Sequence, residues 1–496
     1  MPDGSQPILF GEWLPDQRYL GNPGVIGAVN AIATATGYRS FPGLGVFSNA
    51  LDNPCRGAIR GRTPTRVIHV YAGDKSKLYA YDSAAFRDAS KSGGYAVPDQ
   101  EFWGFTVFNG NVIACHINDQ IQALAVGGAG LFANQPTTTL TPAARHITST
   151  EQFPIIGNLE EDGTRYPYRV RWPSITDETD WDQNAANQSD SEDLDENHGE
   201  IQALVGVGRD AYIFQQRGIS VLTYEGGQTI FRVDLAEQNR GAVAARSVVA
   251  YGRNAFYRSD DGFYRFDGAQ SEPIGREKVD QWFLKMVNQS LQAEIVATIS
   301  PRDSLVCWAF PLAGAQTSGV ILCYNWVIKR WSYALVDTQY LLNDETKGFT
   351  LEQLDTVNAS LDALPFSLDS SAWSGGLSIM SAFDSSNKLG SFDGSALAAV
   401  IDTAEQYPTP GRLSRVQELR PLLDTEDGTV VTMQVLHRDT LQESRTLTTP
   451  ASGLNSIGVT DDIDVAARFL TYRMNVPGAF RHAIGVEHDP IPWGKQ

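Results

Sequence analysis

Two neighbouring stretches of this chain share one form, and that form limits the fold more than any other feature. IQALVGVGRDAYIFQQRGISVLTYEGG (residues 201–227) and SVVAYGRNAFYRSDDGFYRFDG (residues 247–268) each read as strand, tight turn, strand, tight turn, strand. The grounds are alternating apolar side chains bounded by Gly-, Asp- and Asn-bearing turns, because a strand sends successive side chains to opposite faces. Shorter echoes recur: KLYAYDS (77–83), QIQALAVGG (120–128), GISVLTYEGG (218–227), GFYRFDG (262–268), VILCYNWVIKRWSY (320–333) and KLGSFDG (388–394). Each joins a short alternating strand to a small or acidic turn, often with an aromatic residue. Roughly 40–50 residues per four-stranded unit is the spacing of a β-propeller. The intervals here are uneven, so the expectation is a mostly β chain holding a degenerate propeller with insertions. An immunoglobulin-type sandwich closes its core within about 100 residues and fits so long a run poorly.

The two ends read differently from the middle. Residues 1–51, rich in Pro, Gly and Asn, read as an arm that packs on neighbouring elements. Residues 52–402 read as the propeller with helical insertions, and 403–496 as a small additional β domain completed by the N-terminal arm. Two helices are expected. Residues 276–294 set Val279, Phe283, Met286, Val287 and Leu291 on one stripe. Residues 348–364 open with Thr350 and Gln353, the spacing of a capping box.

A chain of 496 residues is longer than one core usually supports, in keeping with two or three parts. Its formal net charge of −19 predicts repulsion of free nucleic acid rather than tight binding. Cys55, Cys115, Cys307 and Cys323 form no C-x-x-C pair and lie in or beside apolar strands, so buried free thiols are expected. The first residues lack the basic and apolar regions of a signal peptide, and no run of about 18 apolar residues predicts a membrane-spanning helix.

Enzyme signatures are absent from the sequence: no G-x-S-x-G elbow, no H-E-x-x-H and no P-loop. The Gly-rich segments 21–27 and 127–130 do not join a buried strand to a helix, so neither predicts a nucleotide site. SDDGFYRF (259–266) departs in register from the Asp-box of sialidase-type propellers. Asp177, Glu178, Asp180 and Asp182 lie near Trp172 and Trp181, which invites a glycosidase reading with paired carboxylates and sugar-stacking rings. The run Asp190, Glu192, Asp193, Asp195 and Glu196 offers oxygen ligands for Ca²⁺, or else a solvated acidic loop on a channel wall or outer surface. Arg56, Arg60, Arg62 and Arg66 form a basic cluster that either contacts phosphate or pairs along an edge. His482, Glu487, His488 and Asp489 read as a surface turn. No catalytic residue, metal ligand or cofactor is assigned from these patterns.

YRVRWPSITDETDW (168–181), the two blade-like units, and ISPRDSLVCWAFP followed by VILCYNWVIKRWSY resemble the tail nozzle (tail hub) proteins of short-tailed bacteriophages, of the packaged-DNA stabilisation type. GNPGVIGAVNAIATATGYRSFPGL is similar to that family's opening arm, and ELRP and AIGVEHDP to its last domain. The resemblance is one of pattern and short phrases across most of the chain. It implies a structural virion tail protein without catalytic activity, assembled in the host cytoplasm as a homohexamer. The implied partners are a head-to-tail adaptor, a tail fibre, spike or needle protein, and double-stranded DNA passing without sequence-specific contacts. The rival expectations are a propeller-type enzyme degrading host surface polysaccharide and a receptor-binding tail module.

Overall fold

The alternation read from the sequence becomes four-stranded antiparallel meanders. The computed structural model describes residues 6–82, 85–136, 139–184, 186–227, 229–345, 376–425, 430–450, 454, 458–460 and 463–494. Among the described residues there are seven such meanders, six of them separate sheets and one the first four strands of a nine-stranded sheet. Blade 1 runs from Gly57–Arg62 to Ala85–Asp88, blade 2 from Gly104–Phe108 to Ala133–Asn134, and blade 3 from Ala143–Ser149 to Asp190–Asp193. Blade 4 runs from Ile201–Val207 to Phe231–Gln238, blade 5 from Val249–Tyr251 to Ser271–Pro273, and blade 6 from Val296–Ser300 to Arg330–Ala334. Blade 7 takes Tyr340–Glu345, Ser378–Phe383 and Lys388–Ala396, and its outermost strand is Pro42–Ala50 from the other end of the chain.

The first strands of successive blades touch one another in order, and that of blade 7 touches that of blade 1. The circuit is closed, so the chain is a seven-bladed β-propeller. Apolar layers fill the gaps between blades. Phe153, Ile155 and Val170 of blade 3 meet Leu204, Ile213 and Leu222 of blade 4. Tyr212 and Phe214 of blade 4 meet Tyr257 and Phe266 of blade 5. Blades are thus buried on both faces, as stacked sheets must be to exclude water from their apolar rows.

The second unit is woven from both chain ends. One sheet orders Ala31–Thr34, Gly37–Ser40, Phe480–Trp493, Leu413–Thr425 and Val465–Ala467, with Gln6–Leu9 added on Phe480–Trp493. The facing strands are Val25–Val29, Ala399–Thr403, Phe469–Val476, Thr432–Arg438 and Thr446–Thr448. Val416, Leu419, Ala483 and Val486 meet Met433, Val435, Tyr472 and Met474 in one core with Trp308, Trp331 and Phe263 of blades 5 and 6. Val29 also bridges Tyr333 in parallel, so the second unit's sheet continues the outer strand of blade 6.

The arm therefore divides. Residues up to Ser40 build the second unit, whereas Pro42–Ala50, expected to be part of the arm, completes a blade whose fourth edge would otherwise stay unpaired. The helix expected over 276–294 is shorter, covering Asp280–Met286. Val287 leaves it in extended conformation, and the Asn288 side chain accepts from Ser290 N (3.1 Å) to start a separate 3-10 turn, Gln289–Glu294. Val279, Phe283 and Val287 of the stripe are buried, and Met286 is exposed. The helix expected over 348–364 lies outside the described residues. Among the described residues no helix is long and apolar enough to cross a membrane.

The short helix rests on the arm. Asp16 accepts from Gln281 N (2.8 Å) and Trp282 N (2.7 Å), acting as a cap supplied from a distant part of the chain. Asp280 points inward, 7% exposed, and accepts from Phe263 N at 3.1 Å. Gly275 makes room for it: a Cβ there would lie 2.0 Å from Asp280 Oδ1. Burial pushes the Asp280 pKa up to about 7, and the Asp16 and Asp261 charges push the same way. A helix N-terminus favours a carboxylate by only about 0.3–1 kcal/mol, too little to reverse the cost of burial.

The native state consequently holds a proton on Asp280 that the unfolded chain releases at ordinary carboxylate pKa. Stability from this group is full at low pH and is lost as pH rises toward and through about 7. Asp280→Asn should stabilise the protein at pH 8 by on the order of 2 kcal/mol relative to its effect at pH 5. Urea unfolding of both proteins at the two pH values measures this; an equal effect at both would contradict a buried, protonated Asp280.

Candidate functional site

Seven inner strands converge on the axis of a propeller, and loops from several blades meet where those strands begin. Residues of 99–105, 145–147, 201–204 and 243–248, with Ala293 and Tyr340, line a cavity of about 450 Å³ there. Its polar side chains come from blades 3, 4 and 7 and from the links before blades 2 and 5, so no contiguous motif announces them.

Two arginines organise the mouth. Arg145 reaches Glu101 through Nε (3.1 Å) and Nη2, and Glu200 through Nη1 at 3.2 Å. Arg246 donates through Nη2 to Glu294 Oε2 (2.9 Å) and to the Ala293 carbonyl (3.1 Å). The Phe102 ring lies 3.4 Å from its guanidinium carbon and the Tyr340 ring 5.8 Å away. Arg246 Nε and Nη1 are buried with no hydrogen-bond partner. Burial lowers the Arg246 pKa, opposed by the Glu294 charge.

The remaining polar groups are held neutral or paired. His146 Nε2 donates to the Ile201 carbonyl at 3.1 Å, which fixes the proton on that nitrogen. Burial, followed by the Arg145 charge, pushes the His146 pKa down to about 3, so the ring is uncharged near neutral pH. Asn158 donates to the same carbonyl (3.0 Å) and to Glu200 (3.3 Å), and accepts from Arg165. Glu101 and Glu200 thus converge on one arginine instead of flanking an open space. This arrangement can dock polar groups; it presents no carboxylate pair set apart for acid and base roles.

The residues singled out from sequence lie elsewhere and do not come together. Asp190–Asp193 is the outer strand of blade 3, on the perimeter of the propeller, and is not a loop. Arg169 holds Asp193 by two bonds (2.6 and 2.7 Å), which lowers the Asp193 pKa and fixes the strand. Burial raises the Glu192 pKa, with Asp190 and Asp193 adding to it. Asp195 caps the 3-10 turn Glu196–His198 by accepting from Asn197 N. Among the described residues no group of three or more His, Cys, Asp or Glu is placed to hold a metal ion.

The sugar-site residues are structural in their surroundings. Trp172 and Trp181 are 3% and 0% exposed, with their indole N–H groups on the Gln188 carbonyl and Gln135 Oε1. Glu178 accepts from Asn109 and Asn111, Asp177 from Thr179, and Asp180 from Asn187. The basic cluster is drawn to carboxylates: Arg56 to Asp99, and Arg60 and Arg62 to Glu345 of blade 7. His482, Glu487, His488 and Asp489 belong to the strand Phe480–Trp493 and form no turn. His488 is buried against the Tyr472 hydroxyl at 2.8 Å, and burial pushes its pKa down to about 4.

No family model matches the chain, and no curated protein matches it. Among solved structures, a chain from the crystal structure of a mitotic checkpoint complex is 8% identical, with 69% of this chain and 92% of that chain covered and a TM-score of 0.39. A likeness of that size carries no argument about either fold or function, and the propeller rests on its own strand pairing.

Removing the central arginine takes away the ion-pair partner that Glu101 and Glu200 share. Arg145→Ala should therefore destabilise the protein by roughly 1–3 kcal/mol, and Arg145→Lys should restore only part, since an ammonium cannot span both partners. Chemical denaturation of the three proteins gives the ranking; an alanine variant as stable as the parent would show that the mouth is not held by this residue.

Proposed function

We propose that this chain is a structural component of a phage tail, the nozzle or hub below the head-to-tail adaptor. In this reading it retains packaged DNA and conducts it during ejection. The observation that carries the proposal is the architecture. A closed propeller is joined to a second β unit built from both chain ends, the plan that the resemblance in sequence implies. The net charge of −19 supports the same reading, because each tight phosphate contact would brake a sliding duplex. The burial of Trp172 and Trp181 weighs against a sugar platform at the acidic segment, where the rival enzyme would have placed it.

Assembly is the direct test. The purified chain should form rings, six copies by the family's plan, in negative-stain images and in light scattering, alone or with its adaptor. A monomer that stays monomeric at high concentration and binds no adaptor would overturn the proposal. The chain should also fail to retard double-stranded DNA at micromolar concentration in about 50 mM salt, where phosphate contacts are strongest. Turnover of host capsule or lipopolysaccharide that is lost in Asp177→Asn or Asp180→Asn would instead favour the enzyme.

A further inference from the structure

The four cysteines are not equivalent. Cys55 and Cys115 are buried singly, whereas Cys307 and Cys323 stand directly opposite on adjacent antiparallel strands of blade 6. Their sulfurs lie 3.2 Å apart, with the residues 0% and 1% exposed. Residues opposed across antiparallel strands have Cα atoms roughly 4.5–5.5 Å apart, inside the range of about 4.4–6.8 Å that a disulfide spans. The side chains already face each other, so bonding needs small rotations of the thiols and no shift of register.

We propose that Cys307 and Cys323 are an oxidisable pair that closes a cross-strand disulfide in blade 6 when the protein meets a thiol oxidant. The chemistry balances with a small-molecule disulfide as oxidant. One cysteine, as thiolate, attacks it, releasing one small thiol and leaving a mixed disulfide. The second cysteine then displaces the other small thiol, and the two protein protons pass to the released thiolates. The protein pair is oxidised by two electrons and the reagent is reduced to two thiols.

Location gives the bond its consequence. Blade 6 carries the strand Arg330–Ala334, where the propeller's sheet continues into the second unit. The pair packs with Leu305, Ala309, Ile321 and Leu341 between blades 6 and 7. A bond here staples the two central strands of that blade. The hydrogen bond with the Cys323 thiol, and then burial, raise the Cys307 thiol well above its ordinary pKa; with both residues buried, closure waits for the blade to open, and reopening by a reductant is slow for the same reason.

The sequence makes the test clean. Cleavage after Arg302 and Lys329 places both cysteines in one tryptic peptide, residues 303–329, with no Lys or Arg between. The full chain is incubated with oxidised glutathione at pH 8 just below its thermal midpoint, then denatured, alkylated and digested. The expected result is a 303–329 peptide lighter by two hydrogens that takes no label, while Cys55 and Cys115 are labelled in full. The thermal midpoint rises, returns on incubation with dithiothreitol under the same conditions, and does not respond to oxidant in Cys307→Ser or Cys323→Ser. Two alkyl labels on the peptide after this treatment, or stable glutathione adducts in place of the internal bond, would overturn the proposal.

Discussion

Everything else in the molecule depends on how the ring is closed. A propeller whose last blade lacked its fourth strand would expose an open row of backbone N–H and C=O groups, which invites pairing with other chains. Here Pro42–Ala50 supplies that strand from the far end of the sequence. The pairing is irregular, with register shifts along it, and is reinforced by the Ser48 hydroxyl, which accepts from Leu389 N at 2.7 Å. Once that strand is fixed, the residues before it leave the rim beside the chain that follows blade 7. The two ends are brought together, and the second unit forms from them. Its composition from both termini is therefore a consequence of ring closure.

The same constraint explains the aromatic seam. Trp13 of the arm packs on Trp282 and Tyr333, with ring centroids 4.9 and 4.7 Å apart, and its residue is 1% exposed. Behind it Trp308 and Trp331 stack on each other and pack at a tilt against Phe263. Large rings bury much area for few rotatable bonds, so they suit a junction where strands of different origin must meet without a shared register. The arm also caps the short helix through Asp16 and pairs Glu12 with Lys278 at 2.7 Å. Moving the second unit relative to blade 6 would expose this seam and break a continuous sheet. The two units hold each other in place.

The sequence showed the propeller through one strand of each blade. The echoes at 77–83, 120–128, 218–227, 262–268 and 388–394 all hold the third strand of their blades, and 320–333 holds the third and begins the fourth of blade 6. Third strands lie between two others and are buried on both sides, so their alternation and closing turns are strict: Leu78–Asp82 and Gly262–Phe266 are almost wholly buried. Outer strands leave little trace, since Ala133–Asn134 has two residues and Ser271–Pro273 three. The third strand of blade 3, Thr164–Trp172, gave no echo because arginines alternate along it. Those arginines fix the acidic strand that reads as a loop in isolation. Pro42–Ala50 read as arm because its partner lies more than 330 residues away, and no local pattern encodes a pairing of that span. The mouth was illegible for a related reason: Glu101, Arg145, Glu200, Arg246 and Glu294 lie on the first strand of blade 3 and on four different links.

Charge is where local pairing and overall character separate. Arg56, Arg60, Arg145, Arg169, Arg171 and Arg246 each meet a carboxylate of their own chain. The Arg171–Glu161 pair is nearly excluded from water, with side chains 6% and 8% exposed. A guanidinium buried with its partner, as Arg171 is with Glu161, cannot also neutralise a phosphate without leaving a buried carboxylate unpaired, which is expensive. These six arginines are thus spent on joining strands, blades and links within the chain, on a fold whose formal net charge is −19.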